Sequence, residues 1–263
     1  MARKLRVEVA GGLYHVIARG NDRQDIFHSH EDRLRFLSLL AKQKARSPFF
    51  VYAFCLMTNH IHLLLERQLD TVGNLMQRVL GGYSRYYNRK YNHVGHVFQA
   101  RHKSILCQKD QYLAELVRYI HLNPVRAGMV KLPEEYPYSS HRGYIGLEEP
   151  GISDVDPVLR LFGSSRAAAR SAFIAYVLKG MGIRYSDDLD SPAEGHILGS
   201  DEFVDETIHR IGDTPRRRAE HTQTSGKRFD AAALVSAVAT VFGIPEDQFC
   251  GPEKSSKAAE EPE

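Results

Sequence analysis

The sequence is poor in cysteine and has neither a membrane-length hydrophobic run nor an internal repeat. The three cysteines, Cys55, Cys107 and Cys250, lie far apart and form no C-x-x-C pair. This usage is typical of a reducing cytoplasm and argues against a zinc site built from cysteines. The basic N-terminus has too few apolar residues for a secretory signal. We therefore expect a cytoplasmic protein with no membrane partner.

Charge is divided unevenly along the 263 residues, a length that allows one substantial domain and a smaller one. Residues 1–150 contain 22 Lys and Arg against 13 Asp and Glu, whereas residues 151–263 contain 13 against 19. A basic N-terminal domain predicts a polyanionic partner, most simply a nucleic acid. A solvated basic surface without a partner explains an excess of this size equally well.

Hydrophobic periodicity predicts alternating strands and helices in the first half of the chain. The apolar run from Phe49 to Leu65 is rich in β-branched and aromatic residues and predicts a buried strand. A later helix begins after Asp110, a suitable N-cap, and ends before Pro124, which disfavours helix at the preceding residue. The predicted elements in order are a strand at 13–18, a helix at 31–46, the strand ending at 65, a helix at 71–91, a strand or hairpin at 96–106 and a helix at 111–122.

This order of elements predicts an α+β fold, with an antiparallel sheet and helices on one face. The split βαβ, or ferredoxin-like, arrangement is one recognised solution for it. A helical C-terminal region should follow: residues 146–213 predict an irregular extension with helices at 166–178 and 201–211. Residues 214–228 are polar and basic and predict a linker, and residues 229–263 predict a small helical segment with a disordered tail.

Two histidines, His60 and His62, alternate with apolar residues at the end of the predicted strand. Side chains alternate across a strand, so both imidazoles should project from one face while Ile61 and Leu63 point to the other. A shared metal ion would explain two imidazoles in an apolar strand, because neutral imidazole is a common metal ligand. Two core histidines that bind backbone groups remain an alternative, since H-x-H is a short pattern.

Tyr119 lies on the predicted helix at 111–122, and Asn123 lies just beyond its end. The two residues are one helical turn apart and would share one face. This face lies away from the apolar stripe, so it need not be buried. Asn123 could supply an amide oxygen as a third metal ligand, with Tyr119 beside the metal. Two nitrogens, one amide oxygen and open positions suit Mg²⁺ or Mn²⁺. An ordinary half-buried helix tyrosine is the alternative for Tyr119.

The helix at 71–91 mixes basic and aromatic side chains. Bases can stack on tyrosine rings while cations bind phosphates, so this mixture favours single-stranded nucleic acid. For Tyr83 and Tyr87, a place in the core face of a half-buried helix is the stronger interpretation. Phosphates could meet basic side chains on this helix and elsewhere, although solvent-facing charge is the default interpretation for each: Arg19, Arg78, Arg85, Arg101 and Lys103.

Five segments between residues 5 and 145 occur in the order found in a known family and resemble the REP-associated tyrosine transposases, within the IS200-like, Y1-type HUH endonucleases. They are Gly12–Val16, Arg19–Asn21, Met57–Leu64, Phe98–Arg101 and Tyr119–Gly128.

The resemblance implies a ferredoxin-like catalytic domain at 1–145 that cleaves single-stranded DNA, at hairpin-associated sequences. It implies a tyrosine nucleophile that forms a 5′-phosphotyrosine link and releases a 3′-hydroxyl. By position, His60 and His62 match the HUH pair, Tyr119 the nucleophile and Asn123 the amide-type third ligand. Relatives build the active site within one chain or across a dimer, so a monomer or a homodimer is expected.

Two other functions remain open. A domesticated, non-catalytic relative could bind hairpin DNA as a regulator, and a metal-dependent hydrolase could use the H-x-H pair to activate water. The hydrolase would need more carboxylate or histidine ligands than the sequence places near the pair. Residues 229–250 also faintly resemble the start of the DNA-binding C-terminal domain of the replication initiator DnaA, whose helix-turn-helix would follow.

Overall fold

A computed structural model describes residues 7–183 and 197–213, with side chains to residue 209. Within these ranges, five strands form one sheet in the order β2-β3-β1-β4-β5. All neighbouring pairs are antiparallel except β4 and β5. The strands are β1 (Leu13–Arg19), β2 (Phe49–Leu56), β3 (His60–Arg67), β4 (Lys103–Cys107) and β5 (Ile197–Leu198). The helices are α1 (His30–Arg46), α2 (Val72–Tyr91), α3 (Lys109–Arg126), α4 (His141–Ile145), α5 (Asp156–Leu159), α6 (Arg166–Lys179) and α7 (Asp201–Asp213).

The first four strands and first two helices follow the chain order βαββαβ, with spatial order β4-β1-β3-β2. This is the split βαβ arrangement, and it confirms the predicted ferredoxin-like α+β fold. Helices α6 and α7 confirm the helical extension expected at 166–178 and 201–211. The predicted linker at 214–228 and the segment at 229–263 lie outside the described residues.

The prediction of one strand over Phe49–Leu65 is wrong, because a hairpin divides this run into β2 and β3. Seventeen residues exceed the usual strand length of about 3–10. The turn between the strands is fixed from outside. Ile26 and Phe27 donate their backbone N–H groups to the Thr58 carbonyl, and Gly20 donates to the Asn59 carbonyl.

Helices cover both faces of the sheet. Helices α1 and α2 share the face that carries Ile61, Leu63 and Leu65, as the one-face arrangement predicts, but α3 does not join them there. Helix α3 and the extension helix α6 pack on the opposite face, which carries Leu64. The sheet is therefore buried between two layers, and the His60/His62 face is the one that α3 covers. Within the described residues, no helix is both long and apolar enough to cross a membrane.

Helix α3 differs from its predicted boundaries. It begins at Lys109, so Asp110 lies inside its first turn, and it continues through Pro124 to Arg126. A proline has no N–H and therefore cannot bond to the carbonyl four residues earlier, that of Ile120. The side-chain amide of Asn123 donates to this carbonyl at 3.4 Å and to the Tyr119 carbonyl at 3.1 Å. Asn123 thus supplies the donor that Pro124 lacks.

The segment predicted as a strand or hairpin at 96–106 is a strand only from Lys103. Its first part instead runs beside the end of β1, where Gly20 pairs with Phe98. Gln99 donates its N–H to the Arg19 carbonyl at 2.9 Å. This loop therefore lies at the same end of the sheet as the start of β3.

Candidate active site

The two histidines of β3 project from one face of the sheet, as alternation predicts. The ring centroids of His60 and His62 lie 5.0 Å apart, with His62 buried and His60 partly exposed. Across the β1–β3 ladder, Ile17 lies opposite His62 and Arg19 opposite His60. The pair therefore sits near the end of both central strands, where one ring can meet solvent.

His62 contacts a third histidine that the sequence interpretation missed. The Nε2 atom of His15, on β1, lies 2.9 Å from Nδ1 of His62, and the two rings stack at 5.2 Å. Burial, reinforced by the neighbouring His15 and His60, holds the pKa of His62 well below its usual range. His62 is therefore neutral at pH 7, which is the state that a metal ligand requires.

Tyr119 reaches this face of the sheet from α3. Its ring centroid lies 6.2 Å from that of His62 and 5.9 Å from that of His15, edge to face in both cases. The structure thus brings Tyr119 beside the histidine pair. The expectation that this face of the helix need not be buried is wrong, since Tyr119 is 4% exposed. The second layer of helices against this face of the sheet accounts for the burial.

An arginine connects Tyr119 with Asn123. The guanidinium carbon of Arg126 lies 3.8 Å from the centre of the Tyr119 ring. The same guanidinium donates to the Asn123 side-chain oxygen at 2.9 Å. Arg126 follows Asn123 by three residues and Tyr119 by seven, so all three share one helix face. The amide oxygen predicted as a third metal ligand is therefore bound to Arg126 in this conformation.

The donor set fits an open metal site better than a closed one. No group of three or more His, Cys, Asp or Glu side chains within residues 7–183 and 197–209 could hold an ion. The candidate ligands are therefore the imidazoles of His60 and His62, together with the Asn123 amide oxygen once its hydrogen bond to Arg126 is broken. Such a set leaves positions for water and a phosphate oxygen, as Mg²⁺ and Mn²⁺ sites commonly do. The role of Asn123 as a ligand stays a prediction.

The five basic residues predicted to contact DNA lie in different surroundings. Arg19 is exposed at the end of β1, and Lys103 on β4 pairs with Ile17, so it shares the sheet face of the histidines. Arg85 and Arg101 are exposed. Arg78 instead forms an ion pair with Asp70 and donates to the Gln43 side chain at 2.8 Å, which favours a structural role.

The tyrosines of α2 mostly serve the fold. Tyr83 and Tyr87 are buried, in agreement with a core face. The hydroxyl groups of Tyr86 and Tyr91 donate to the buried carboxylate of Asp32 on α1, at 2.9 and 2.7 Å. These contacts join α1 to α2 and leave little of this aromatic cluster for base stacking.

A groove of about 650 Å³ lies between α2 and the loop at 95–102. Small and amide side chains line its α2 wall, among them Asn74, Gln77 and Ser84, and Arg101 lies on the loop wall. None of the described lining residues is acidic. Because Gln99 of the loop donates to the Arg19 carbonyl, the loop wall of the groove adjoins the end of β1, whereas α2 packs on the sheet face opposite the histidines.

Two residues of the site escaped the sequence interpretation: His15 and Arg126. His15 lies inside the motif Gly12–Val16, and a histidine in an apolar strand is a usable signal. Arg126 could have been found from its spacing on α3. Their contacts, however, depend on the register between β1 and β3 and on side-chain conformation, which periodicity does not contain.

The chain is similar to known transposases. The family model described as "Transposase IS200 like" matches residues 8–123. A protein of Haemophilus influenzae (strain ATCC 51907 / DSM 11121 / KW20 / Rd) assigned as a REP-associated tyrosine transposase is 32% identical in an alignment of 108 residues. That alignment covers 36% of this chain, and the chain spans 61% of the length of this curated relative.

Two solved structures are also similar. One is a REP-associated tyrosine transposase bound to a REP hairpin, with 23% identity, a TM-score of 0.46 and coverage of 57% of this chain and 90% of that chain. The other is assigned as a transposase from Deinococcus radiodurans R1, with 16% identity, a TM-score of 0.32 and coverage of 46% and 94%.

The chain is therefore similar to transposases, a class of DNA-processing enzymes. Residues 8–123 match the model of the IS200-like transposase family, and this part of the chain is similar to a REP-associated tyrosine transposase.

Proposed function

We propose that this protein is a metal-dependent endonuclease and strand transferase for single-stranded DNA, with Tyr119 as its nucleophile. The observation that carries the proposal is the meeting of Tyr119 from α3 with His62 from β3, whose ring centroids lie 6.2 Å apart. These residues come from separate elements, and only the packing of α3 on this sheet face unites them.

The proposed reaction exchanges one phosphate ester for another. The Tyr119 hydroxyl loses its proton, and its oxygen attacks the phosphorus and forms a 5′-phosphotyrosine bond. The bond from phosphorus to the 3′ oxygen breaks, and that oxygen takes up a proton to give a 3′-hydroxyl. A 3′-hydroxyl can then reverse the step or join a new end, so rejoining requires no high-energy cofactor.

His60 and His62 are the side chains that would hold Mg²⁺ or Mn²⁺, with Asn123 as the proposed third ligand. The ion would supply charge withdrawal from the scissile phosphate, which a weak nucleophile such as a phenol requires. The neutral state of His62 supports this assignment, because a protonated imidazole cannot bind a cation.

The proposed substrate is single-stranded DNA beside a hairpin. In-line attack requires a strand that bends sharply, which duplex DNA resists. The groove between α2 and the 95–102 loop lacks acidic lining residues, and its loop wall adjoins Arg19, so it is a proposed path for a DNA strand. Exposed Arg85 and Arg101, together with Lys103, are proposed phosphate contacts. We retain a monomer or a homodimer as the expected assembly.

The test is covalent trapping on a labelled single-stranded oligonucleotide that carries a hairpin, with Mn²⁺. We expect a protein–DNA adduct that resists denaturation and disappears in Tyr119→Phe. Tyr112→Phe is the matched control, because Tyr112 lies two turns earlier on the same helix and should leave the adduct unchanged. Cleavage that persists without an adduct in Tyr119→Phe would favour the water-activating hydrolase.

One observation favours a second candidate, a non-catalytic hairpin-binding regulator. Tyr119 is 4% exposed, and Arg126 lies against both its ring and the Asn123 oxygen. A site fixed in this conformation would bind DNA without cutting it. Hairpin binding without an adduct or cleavage, in the unaltered protein with Mn²⁺ or Mg²⁺, would select this candidate.

A further inference from the structure

We propose that Asn59 and His15 are positioning residues that set the tautomers of His60 and His62, so that both rings offer an Nε2 lone pair to the same site. This inference rests on the proposed function and deepens it. In metal sites, partners of the second ring nitrogen commonly fix the tautomer and orientation of a histidine ligand.

The Asn59 side chain determines which nitrogen of His60 carries the proton. Its amide nitrogen donates to the Arg23 carbonyl at 3.0 Å, which leaves its oxygen facing His60. That oxygen lies 2.7 Å from Nδ1 of His60 and can only accept. Nδ1 must therefore carry the hydrogen, and Nε2 of the neutral ring keeps its lone pair.

The carbonyl that orients Asn59 is itself held in an unusual conformation. Asp22 and Arg23 both have left-handed backbone dihedrals, with φ of 49° and 58°. Such values are uncommon for residues other than glycine and persist where the surroundings impose them. Here the backbone around this turn is bonded to the 97–99 loop and to the β2–β3 turn. The strained turn directs the Arg23 carbonyl at Asn59.

His15 acts in the same way on His62. Nδ1 of His62 is occupied by the 2.9 Å contact with Nε2 of His15, so only Nε2 of His62 remains for a metal. A lone pair on that atom requires a hydrogen on Nδ1 of His62. The contact itself allows either ring to donate, and we infer that His62 donates from Nδ1 and His15 accepts at Nε2. Both rings are buried and stacked, which prevents either from turning away.

The direct test is ¹⁵N NMR of the metal-free full-length protein with labelled histidine. We expect His60 and His62 to carry hydrogen on Nδ1 and none on Nε2. A hydrogen on Nε2 of either ring would overturn the inference for that ring. This measurement requires neither metal nor activity, so it separates the inference from the proposed function.

The second test is Mn²⁺ affinity by calorimetry. Replacement of an outer partner of a metal ligand typically weakens binding by about 10–100-fold, and we expect this for Asn59→Leu and His15→Phe. Asn59→Asp keeps an oxygen acceptor and should retain most of the affinity. Equal weakening by Asn59→Asp and Asn59→Leu, or none by Asn59→Leu, would overturn the role of Asn59. Unchanged affinity in His15→Phe would overturn that of His15.

The chain offers matched controls for both changes. Asn88 contacts Nδ1 of His93 at 3.0 Å on the α2 side, so Asn88→Leu removes the same kind of pair away from the site. His121 is buried against His141, so His121→Phe reproduces the loss of a buried imidazole. Both controls should keep the Mn²⁺ affinity. Should the unaltered protein bind no Mn²⁺, the proposed function fails, while the NMR result still decides the tautomers.

Discussion

The contact between Arg126 and Asn123 makes a quantitative prediction about metal binding. The Asn123 oxygen accepts from the Arg126 guanidinium at 2.9 Å, and an ion could take this oxygen only after that bond breaks. A hydrogen bond to a charged group contributes about 1.5–3 kcal/mol. Removal of the guanidinium in Arg126→Met should therefore tighten Mn²⁺ binding by about tenfold, the equivalent of about 1.4 kcal/mol.

Loss of the Arg126 positive charge would also tighten Mn²⁺ binding, because a cationic side chain near the site repels a metal ion. A double-mutant cycle separates the two effects. In the Asn123→Ala background the oxygen is absent, so Arg126→Met can report only the change in charge. We expect the gain in affinity to be clearly smaller in that background than in the unaltered protein.

Isothermal titration calorimetry with Mn²⁺ on the four proteins is the assay. Thermal unfolding of each should confirm that the fold persists, since Asn123 also bonds to the carbonyls of Tyr119 and Ile120. An equal gain from Arg126→Met in both backgrounds, or no gain in either, would refute Asn123 as a ligand.

Two further predictions concern the scaffold. Asp32 is buried and accepts hydrogen bonds from Lys90 and two tyrosines, so Asp32→Asn should lower the free energy of unfolding by about 2 kcal/mol in urea. Burial alone would raise the pKa of Asp32, but these hydrogen bonds outweigh it and hold the pKa well below its usual range. The stability that this carboxylate adds is present above its unfolded pKa of about 3.9, so the difference between the two proteins should shrink as pH falls below that value. A difference in unfolding free energy that grows as the pH falls would contradict this role of the Asp32 carboxylate. Gly20→Ala should destabilise the fold by about 1–3 kcal/mol, because a Cβ there would overlap the Gln24 carbonyl oxygen. Gly81→Ala is the control, because a Cβ on this helical glycine would make only an ordinary contact with the Arg85 side chain, and the change should be neutral or stabilising. Equal loss of stability from both changes would count against the steric reason.

Local pattern was sufficient for the placement of the histidine pair. Ile61, Leu63 and Leu65 mark one face of β3 as core, and the period of two then assigns His60 and His62 to the other face. Helical spacing likewise placed Tyr119 and Asn123 on a common face. Neither pattern predicts that this face of α3 packs against the histidine face of β3. That expectation came from the family resemblance, and the packing of α3 on the sheet agrees with it.

The failures of the sequence interpretation share a physical cause. Pro124 obeys a local rule that ends helices, yet the Asn123 amide supplies the missing donor and the helix continues. The run at 49–65 has no break in hydrophobicity, and its turn is fixed by backbone groups near residues 20–27. In both cases a side chain or a distant segment satisfies a group that the local sequence leaves open.

The contact partners of the site residues also could not be predicted from hydrophobic periodicity. His15 meets His62 only because β1 and β3 are paired in one register, and a shift by one residue would turn it to the other face. Arg126 reaches Tyr119 through a side-chain conformation that helical spacing permits but does not determine.

Peptide mapping of the trapped DNA adduct tests the central claim most directly. Trypsin cleaves after Arg118 and Arg126, and the peptide between them, Tyr119–Arg126, contains a single tyrosine. After reaction with hairpin-bearing single-stranded DNA and Mn²⁺, followed by nuclease and trypsin digestion, mass spectrometry should find this peptide with a nucleotide phosphate on Tyr119. An adduct on any other peptide, or a cut strand with Tyr119 unmodified, would contradict the account.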